Sequence, residues 1–184
     1  MKILSEKDLV VTKWSGGETT QLAISPENAT LQDRNFEWRI SSAKVDLETS
    51  DFSDFSGYKR VIMPLDNDVV LTHDTPSGRL NVLLSAFEQN IFDGAWKTTS
   101  KGIMTDFNVI FKPHLCPKIQ VNTLKVNESY TNSNHESIFF LYKGEVEIEG
   151  KAIHAKAIFF TQNILKFNIL KESTLISVKF MDRN

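Results

Sequence analysis

The chain has little of what a metal centre, a disulfide or a membrane span needs. Its one cysteine in 184 residues, Cys116, excludes an internal disulfide and fits a reducing compartment, most simply the cytoplasm. Cys116 sits in Leu115-Cys116-Pro117 with only His114 nearby, which suits a filler or edge-strand thiol better than a nucleophile. No segment approaches the roughly eighteen apolar residues that cross a bilayer, so no membrane partner is expected. The opening Met1 to Asp8 turns charged before a signal-peptide core could form. With 21 basic against 23 acidic residues and no basic stripe, nucleic acid is not an expected partner. Helical periodicity over three turns is also missing, and Ser41 and Ser53 stand in no recognisable Ser-His-Asp order.

What remains is a series of short β-rich runs between turn residues. Residues 8 to 14 read as a first strand, closed by Ser15-Gly16-Gly17. Glu18 to Ser25 reads as a second, ended by Pro26, and residues 27 to 35 as a loop. The glycine pair precedes Thr19-Thr20-Gln21-Leu22-Ala23-Ile24, a strand former, so it marks a turn and not a phosphate cradle. Val61 to Leu65 and Val69 to His73, joined by Asp66-Asn67-Asp68, read as a hairpin. Further runs follow at Leu80 to Leu84, Phe87 to Asp93 and Gly102 to Phe111. The last third adds Lys118 to Val126, Ser137 to Tyr142, Glu145 to Ile148, Ala157 to Thr161 and Leu175 to Met181. Closely spaced strands without long helices predict a sandwich or barrel.

The most informative run is Phe36-Glu37-Trp38-Arg39-Ile40-Ser41-Ser42-Ala43-Lys44-Val45. As a strand it places Trp38, Ile40 and Ser42 on one face and Arg39, Ser41 and Ala43 on the other. Arg60 opens the apolar run at Val61. Arginines at the edges of neighbouring strands form a carboxylate-binding pair, because each guanidinium fork accepts a carboxylate in two parallel hydrogen bonds. Ordinary rim salt bridges are the alternative. In the run from Gly102, Met104, Asp106, Asn108 and Ile110 share a face.

Val61 to Leu71 aligns without a gap with Ile138 to Ile148: apolar strand, polar turn, second strand. This favours an internal duplication. The second copy, with Gly144 at its centre and Ala155 to Phe160 after it, resembles the strand-Gly-strand hairpin of cupin barrels. A more specific pattern runs through Trp14-x-Gly-Gly-x-Thr, Trp38-Arg39-Ile40-Ser41-x-Ala43, Phe52-Ser53-x-Phe55-x-Gly57-x-x-Arg60, Phe92-x-Gly94 and Asp106-Phe107-Asn108-Val109. Together these motifs, over roughly residues 9 to 112, resemble the HutD/Ves family, bicupins associated with bacterial histidine utilisation. Two positions depart from that pattern: Lys59 stands where the family usually has Asp, and Ser56-Gly57 where it has Pro-Gly.

The resemblance implies an all-β chain of two tandem cupin-like antiparallel barrels. The first would span about residues 1–112 and the second 113–184, with strands open to exchange between halves. It also implies a non-catalytic binding protein that modulates histidine utilisation by sensing an acidic intermediate such as formylglutamate. Arg39, Ser41, Arg60, Asp106, Asn108 and Trp14 are the candidate ligand-binding residues; Trp14 and Phe107 read as apolar walls or as core residues, with core the better reading for Phe107. Asp106 either orients Arg39 or Arg60 or simply hydrogen-bonds a strand end. Many cupins hold a metal through His-x-His, a glutamate and a later histidine. Here His73, His114, His135 and His154 include no such pair, so no metal or other cofactor is expected, and His73, His135 and His154 read as solvated. A metal-independent isomerase or hydrolase acting on a small carboxylate, with Asp106 or His73 titrating near neutral pH, is the alternative function. A plain interaction module is a third reading, and a homodimer is left open.

Overall fold

The computed structural model describes residues 1–132 and 137–182; His135 lies outside them. The described residues divide into two units, one of Met1–Leu9 with His114–Asn184 and one of Val10–Pro113. The sequence boundary near 112 therefore lies close to the structural one, but the first nine residues belong with the C-terminal unit. They carry a short strand, β1 (Lys2–Leu4), that sequence reading passed over.

The Val10–Pro113 unit begins with β2 (Val10–Trp14), β3 (Gly17–Ser25), β4 (Trp38–Val45) and β5 (Thr49–Asp51). It continues through β6 (Lys59–Pro64), β7 (Val69–Thr75), β8 (Gly78–Leu84), β9 (Asn90–Asp93), β10 (Lys97–Lys101) and β11 (Met104–Phe111). Six strands form one sheet in the order β2-β3-β4-β11-β6-β9, and four form another in the order β5-β10-β7-β8. All pairings are antiparallel. This is a two-sheet jelly roll and not a closed barrel. The segment read as a hairpin is instead a corner: β6 lies in the six-stranded sheet and β7 in the four-stranded one.

Val45, Ile62, Phe92 and Met104 of the larger sheet pack with Val69, Leu71 and Leu84 of the smaller, which identifies the inner face. Alternation then puts Arg39, Ser41 and Ala43 on that inner face with Val45. A second inner cluster gathers Phe36, Phe55, Tyr58 and Ile110. It is seated by the Tyr58 hydroxyl, which donates to the Arg34 and Phe36 carbonyls at 2.6 and 2.9 Å. Gly94 is needed there because a Cβ would lie 2.4 Å from the Phe55 carbonyl oxygen. The opposite face of the same strands carries Ile40, Val61, Met63, Phe107 and Val109, also buried, so the central strands are apolar on both sides.

The other unit holds β1 with β12 (Leu115–Leu124), β13 (Ser129–Thr131), β14 (Ser137–Ile148), β15 (Lys151–His154), β16 (Ala157–Thr161) and β17 (Lys166–Asp182). Its strands form a single seven-stranded sheet. The expected strand-Gly-strand hairpin is one twelve-residue strand, β14, whose first part pairs with β16 and last part with β15. Between them its register against β17 slips three times around Lys143–Gly144. These slips bend the strand so that it serves both sides of the roll. Gly144 takes φ +93°, where a Cβ would strike Ser173 Oγ and the Glu172 carbonyl. Inside, Phe139, Phe159 and Phe167 stack among Leu124, Leu141, Val146, Ile148, Ile169 and Leu175. Cys116 sits half-buried on β12, an edge strand of this sheet.

Candidate functional site

Burial of charge singles out the inner face of the Val10–Pro113 unit. Arg39, Arg60 and Asp106 are all at most 6 % exposed, where an ionised group survives only with compensating partners. Their placement follows from register. Arg39 on β4 and Arg60 on β6 both lie opposite Ile110 of β11. They are thus not on neighbouring strands but one strand further apart, about 9.5 Å at the backbone. Two residues along, Ser41 and Ile62 flank Asn108; two more along, Ala43 and Pro64 flank Asp106. One continuous patch therefore brings together Arg39, Ser41, Arg60, Asp106 and Asn108.

Each guanidinium is held from behind. Arg39 donates from Nε to Gln21 Oε1 at 2.9 Å and from Nη1 to Ser41 Oγ at 3.0 Å. Arg60 donates from Nη1 to the Ser53 carbonyl at 3.2 Å. Its planar head lies 4.7 Å from the Phe52 ring centre and 5.5 Å from those of Phe55 and Phe92, an aromatic cradle that holds a cation without neutralising it. Two buried atoms of this patch are left without partners: Arg60 Nε, a donor, and Asn108 Oδ1, an acceptor. A buried group of this kind costs about 1–3 kcal/mol unless something meets it.

Asp106 Oδ1 accepts the Ala43 amide at 3.2 Å. Of the two readings of Asp106, the structure shows the bond to backbone and not the direct pairing with Arg39 or Arg60; the arginines act on Asp106 through space. Burial pushes its carboxyl up to about 7, against the opposing pull of the Ala43 amide, Arg60 and Arg39. The guanidiniums are pulled down to about 10, each chiefly by burial; Arg60 is lowered further by Arg39 and both are partly restored by Asp106.

The four-stranded sheet contributes a residue that sequence reading misplaced. His73, expected to be solvated, is fully buried on the inner face. Its Nδ1 meets Thr98 Oγ1 at 2.8 Å and its Nε2 meets Asn90 Oδ1 at 3.1 Å. Burial lowers its pKa, favouring the neutral ring. Gln21, Asn90 and Thr98 carried no sequence signal, since register alone brings them here, and His73 entered only as a titrating group of the alternative enzyme reading. Phe52, Phe55 and Phe92 were visible within the spaced motifs.

Trp14 stands elsewhere, at the end of edge strand β2 and 38 % exposed. Its Nε1 donates to Thr19 Oγ1 at 3.2 Å, and it lines a separate hollow with Gly16, Lys44 and Leu47. Phe107 is fully buried on the opposite face from Asp106. Among the described residues no group of His, Cys, Asp and Glu side chains is arranged to hold a metal ion. Nor is any helix among the described residues long and apolar enough to cross a membrane.

Comparisons place this architecture. An uncharacterised 21.2 kDa protein from the hutC 3′ region of Pseudomonas putida is 30% identical over 118 residues, covering 61% of this chain and 59% of that relative. HutD from Pseudomonas fluorescens SBW25, solved in a formate condition, superposes with a TM-score of 0.71 at 20% identity, over 100% of this chain and 99% of that one. The Lactobacillus farciminis oxalate decarboxylase in its formate complex superposes with a TM-score of 0.70 at 6% identity, over 98% and 86%. At such identities the likeness is one of fold, and the fold is cupin-like. The HutD family model matches residues 6–176, a span that takes in the buried arginines and both units, and the chain belongs to the HutD family.

Proposed function

We propose that the inner face of the Val10–Pro113 unit binds a small carboxylate, and that the chain acts without catalysis as a sensor in histidine utilisation, the process to which the HutD family is linked. The observation that carries this reading is a charge excess. Two buried guanidiniums face one carboxyl, and Arg60 Nε lacks an acceptor. A ligand carboxylate supplies both the missing charge and the missing acceptor. An acidic intermediate such as formylglutamate fits this demand. A thermal-shift titration of the purified chain with formylglutamate tests it, because stabilisation grows with ligand concentration over its dissociation constant, by about 2.7 kcal/mol at a hundredfold excess. Arg39→Ala is expected to abolish the shift while leaving the fold intact. Normal binding by that variant sinks the assignment.

A second reading has its own support. A carboxyl pushed up to about 7 beside two cations suits a general base at neutral pH. On that reading the unit is a metal-independent isomerase or hydrolase for a small carboxylate. It requires turnover with a pH inflection near 7 that vanishes in Asp106→Asn; binding without turnover leaves the sensor standing.

A further inference from the structure

The charges enclosed in the Val10–Pro113 unit can be counted. Its buried charged side chains are Arg39, Arg60 and Asp106, and its other buried titratable groups are His73 and Tyr58. Each element packed near Asp106 has a known contribution. β4 brings Arg39, β6 brings Arg60, and the corner after β6 brings Asp66, an exposed carboxylate whose charge opposes ionisation of Asp106. β7 brings His73, held between Thr98 and Asn90. Gln21 and Thr19 on β3 and Asn90 on β9 carry no charge. With Asp106 ionised, the enclosed set is one positive charge in excess; with Asp106 protonated, it is two.

We infer that Asp106 sets the charge a ligand can carry: one carboxylate enters with Asp106 ionised, whereas a dicarboxylate enters only as Asp106 takes a proton from solution. A buried set tolerates net charge poorly, because desolvation is not repaid without an opposite partner. A monoanion brings two guanidiniums and Asp106 to neutrality. A dianion overshoots by one, and the only carboxyl among the three side chains is the place where a proton restores the balance. The Ala43 amide bonds one oxygen of that carboxyl and accommodates the neutral acid as well as the carboxylate. The proton moves from water or buffer to the Asp106 carboxyl, and no covalent bond of the ligand changes. This inference rests on the carboxylate-binding reading.

The experiment is titration calorimetry on the full chain with butyrate and glutarate, from pH 6.5 to 8.5, each in two buffers of different ionisation enthalpy. Both probes are fully ionised over this range. For glutarate, uptake approaching one proton is expected at the upper end, with affinity falling about tenfold per pH unit once Asp106 is deprotonated in the free protein. Butyrate should show no uptake and a flat affinity at the upper end, where Asp106 is already ionised, and should release a proton on binding at the lower end. Asp106→Asn keeps an acceptor for the Ala43 amide and should bind glutarate with no uptake and no pH dependence. Glutarate bound without proton uptake overturns the inference and leaves carboxylate binding intact. Uptake that persists in Asp106→Asn overturns it too, by moving the proton to another group. If neither probe binds at any pH, carboxylate binding itself falls and takes the inference with it. The buffer comparison on the wild-type chain decides the matter even if the variant fails to fold.

Discussion

The two units run through the same sequence of pairings and fill their interiors in opposite ways. In the Val10–Pro113 unit, β11 pairs with β4 and β6, and β10 pairs with β5 and β7. In the other unit β17 alone does the work of both, pairing with β12 and β14 along one part and with β13 along another. β14 likewise stands for β6 and β7 together, with β15 and β16 in the places of β8 and β9. Aligned in this way, Leu175 opposite Leu141 occupies the position that Asp106 holds opposite Pro64. Phe139 takes the position of Ile62. Where one interior buries charges, the other clusters three phenylalanines in mutual ring contact. One frame therefore serves two ends: apolar filling makes a core, and buried charge makes a candidate site.

The comparison is broken most forcefully from the apolar side. Phe159 is fully buried and stacks on Phe139 at 5.2 Å. Truncation to alanine leaves a cavity as well as lost burial, and Phe159→Ala is expected to cost about 3–5 kcal/mol in chemical denaturation. Carboxylate binding by the folded fraction should survive, since no charged residue of the polar interior belongs to this cluster. A loss below about 1 kcal/mol would mean that the aromatic stack is not the core it looks to be.

The polar interior should reveal itself in the pH dependence of stability. In the unfolded chain Asp106 ionises near its ordinary value of about 3.9, whereas in the folded chain it holds its proton up to about 7. Between those values folding takes up a proton, so this group's contribution to stability falls as pH rises, by at most about 1.4 kcal/mol per unit. It is flat below the window and flat above it. Carboxylates with lowered pKa, such as Glu145 beside Lys171, work in the opposite direction. The measurement is therefore the difference between wild type and Asp106→Asn in denaturant midpoints from pH 4 to 8. A difference that does not change with pH would place the Asp106 carboxyl outside the titration.

Much of this was legible in the sequence because a strand's period of two is a local property. Arg39, Ser41 and Ala43 had to share a face once Trp38 to Val45 was read as extended, and Asp106 and Asn108 likewise. The corners were not legible. Asp66-Asn67-Asp68 and Lys143-Gly144 announce a change of direction, yet nothing local says whether the flanking strands then pair with each other or part to different partners. His73 was misread for a related reason: it sits among Thr72, Asp74 and Thr75, and its burial comes from Thr98 and Asn90, both far along the chain. β1, three residues long, is held by register with Ile158, Phe159 and Phe160 and has no pattern of its own to read.

The corner itself supplies a smaller test. Gly144 lets β14 bend as one strand, in a left-handed conformation pressed against Ser173 and Glu172. Gly144→Ala adds a Cβ both to an unfavourable φ and to a space already filled by backbone. A loss of about 1–3 kcal/mol is expected from a position of this kind. Since the polar interior lies in the other unit, carboxylate affinity should not move with it. Wild-type stability in Gly144→Ala would show that the bend does not depend on the glycine.

The smallest effect is expected at Lys59, just before Arg60. Alternation along β6 turns Lys59 away from the inner face that Arg60 occupies. Its amine lies 3.8 Å from Asp93, its cross-strand partner, with both side chains about a third exposed. Solvent-screened pairs of this sort contribute about 0–1 kcal/mol. Lys59→Ala should accordingly shift the denaturant midpoint by less than any change above, and carboxylate affinity should be the same within error at high and low salt. If affinity instead drops several-fold and the drop fades in high salt, Lys59 acts on the ligand through its field, and the cation count of the site rises from two to three.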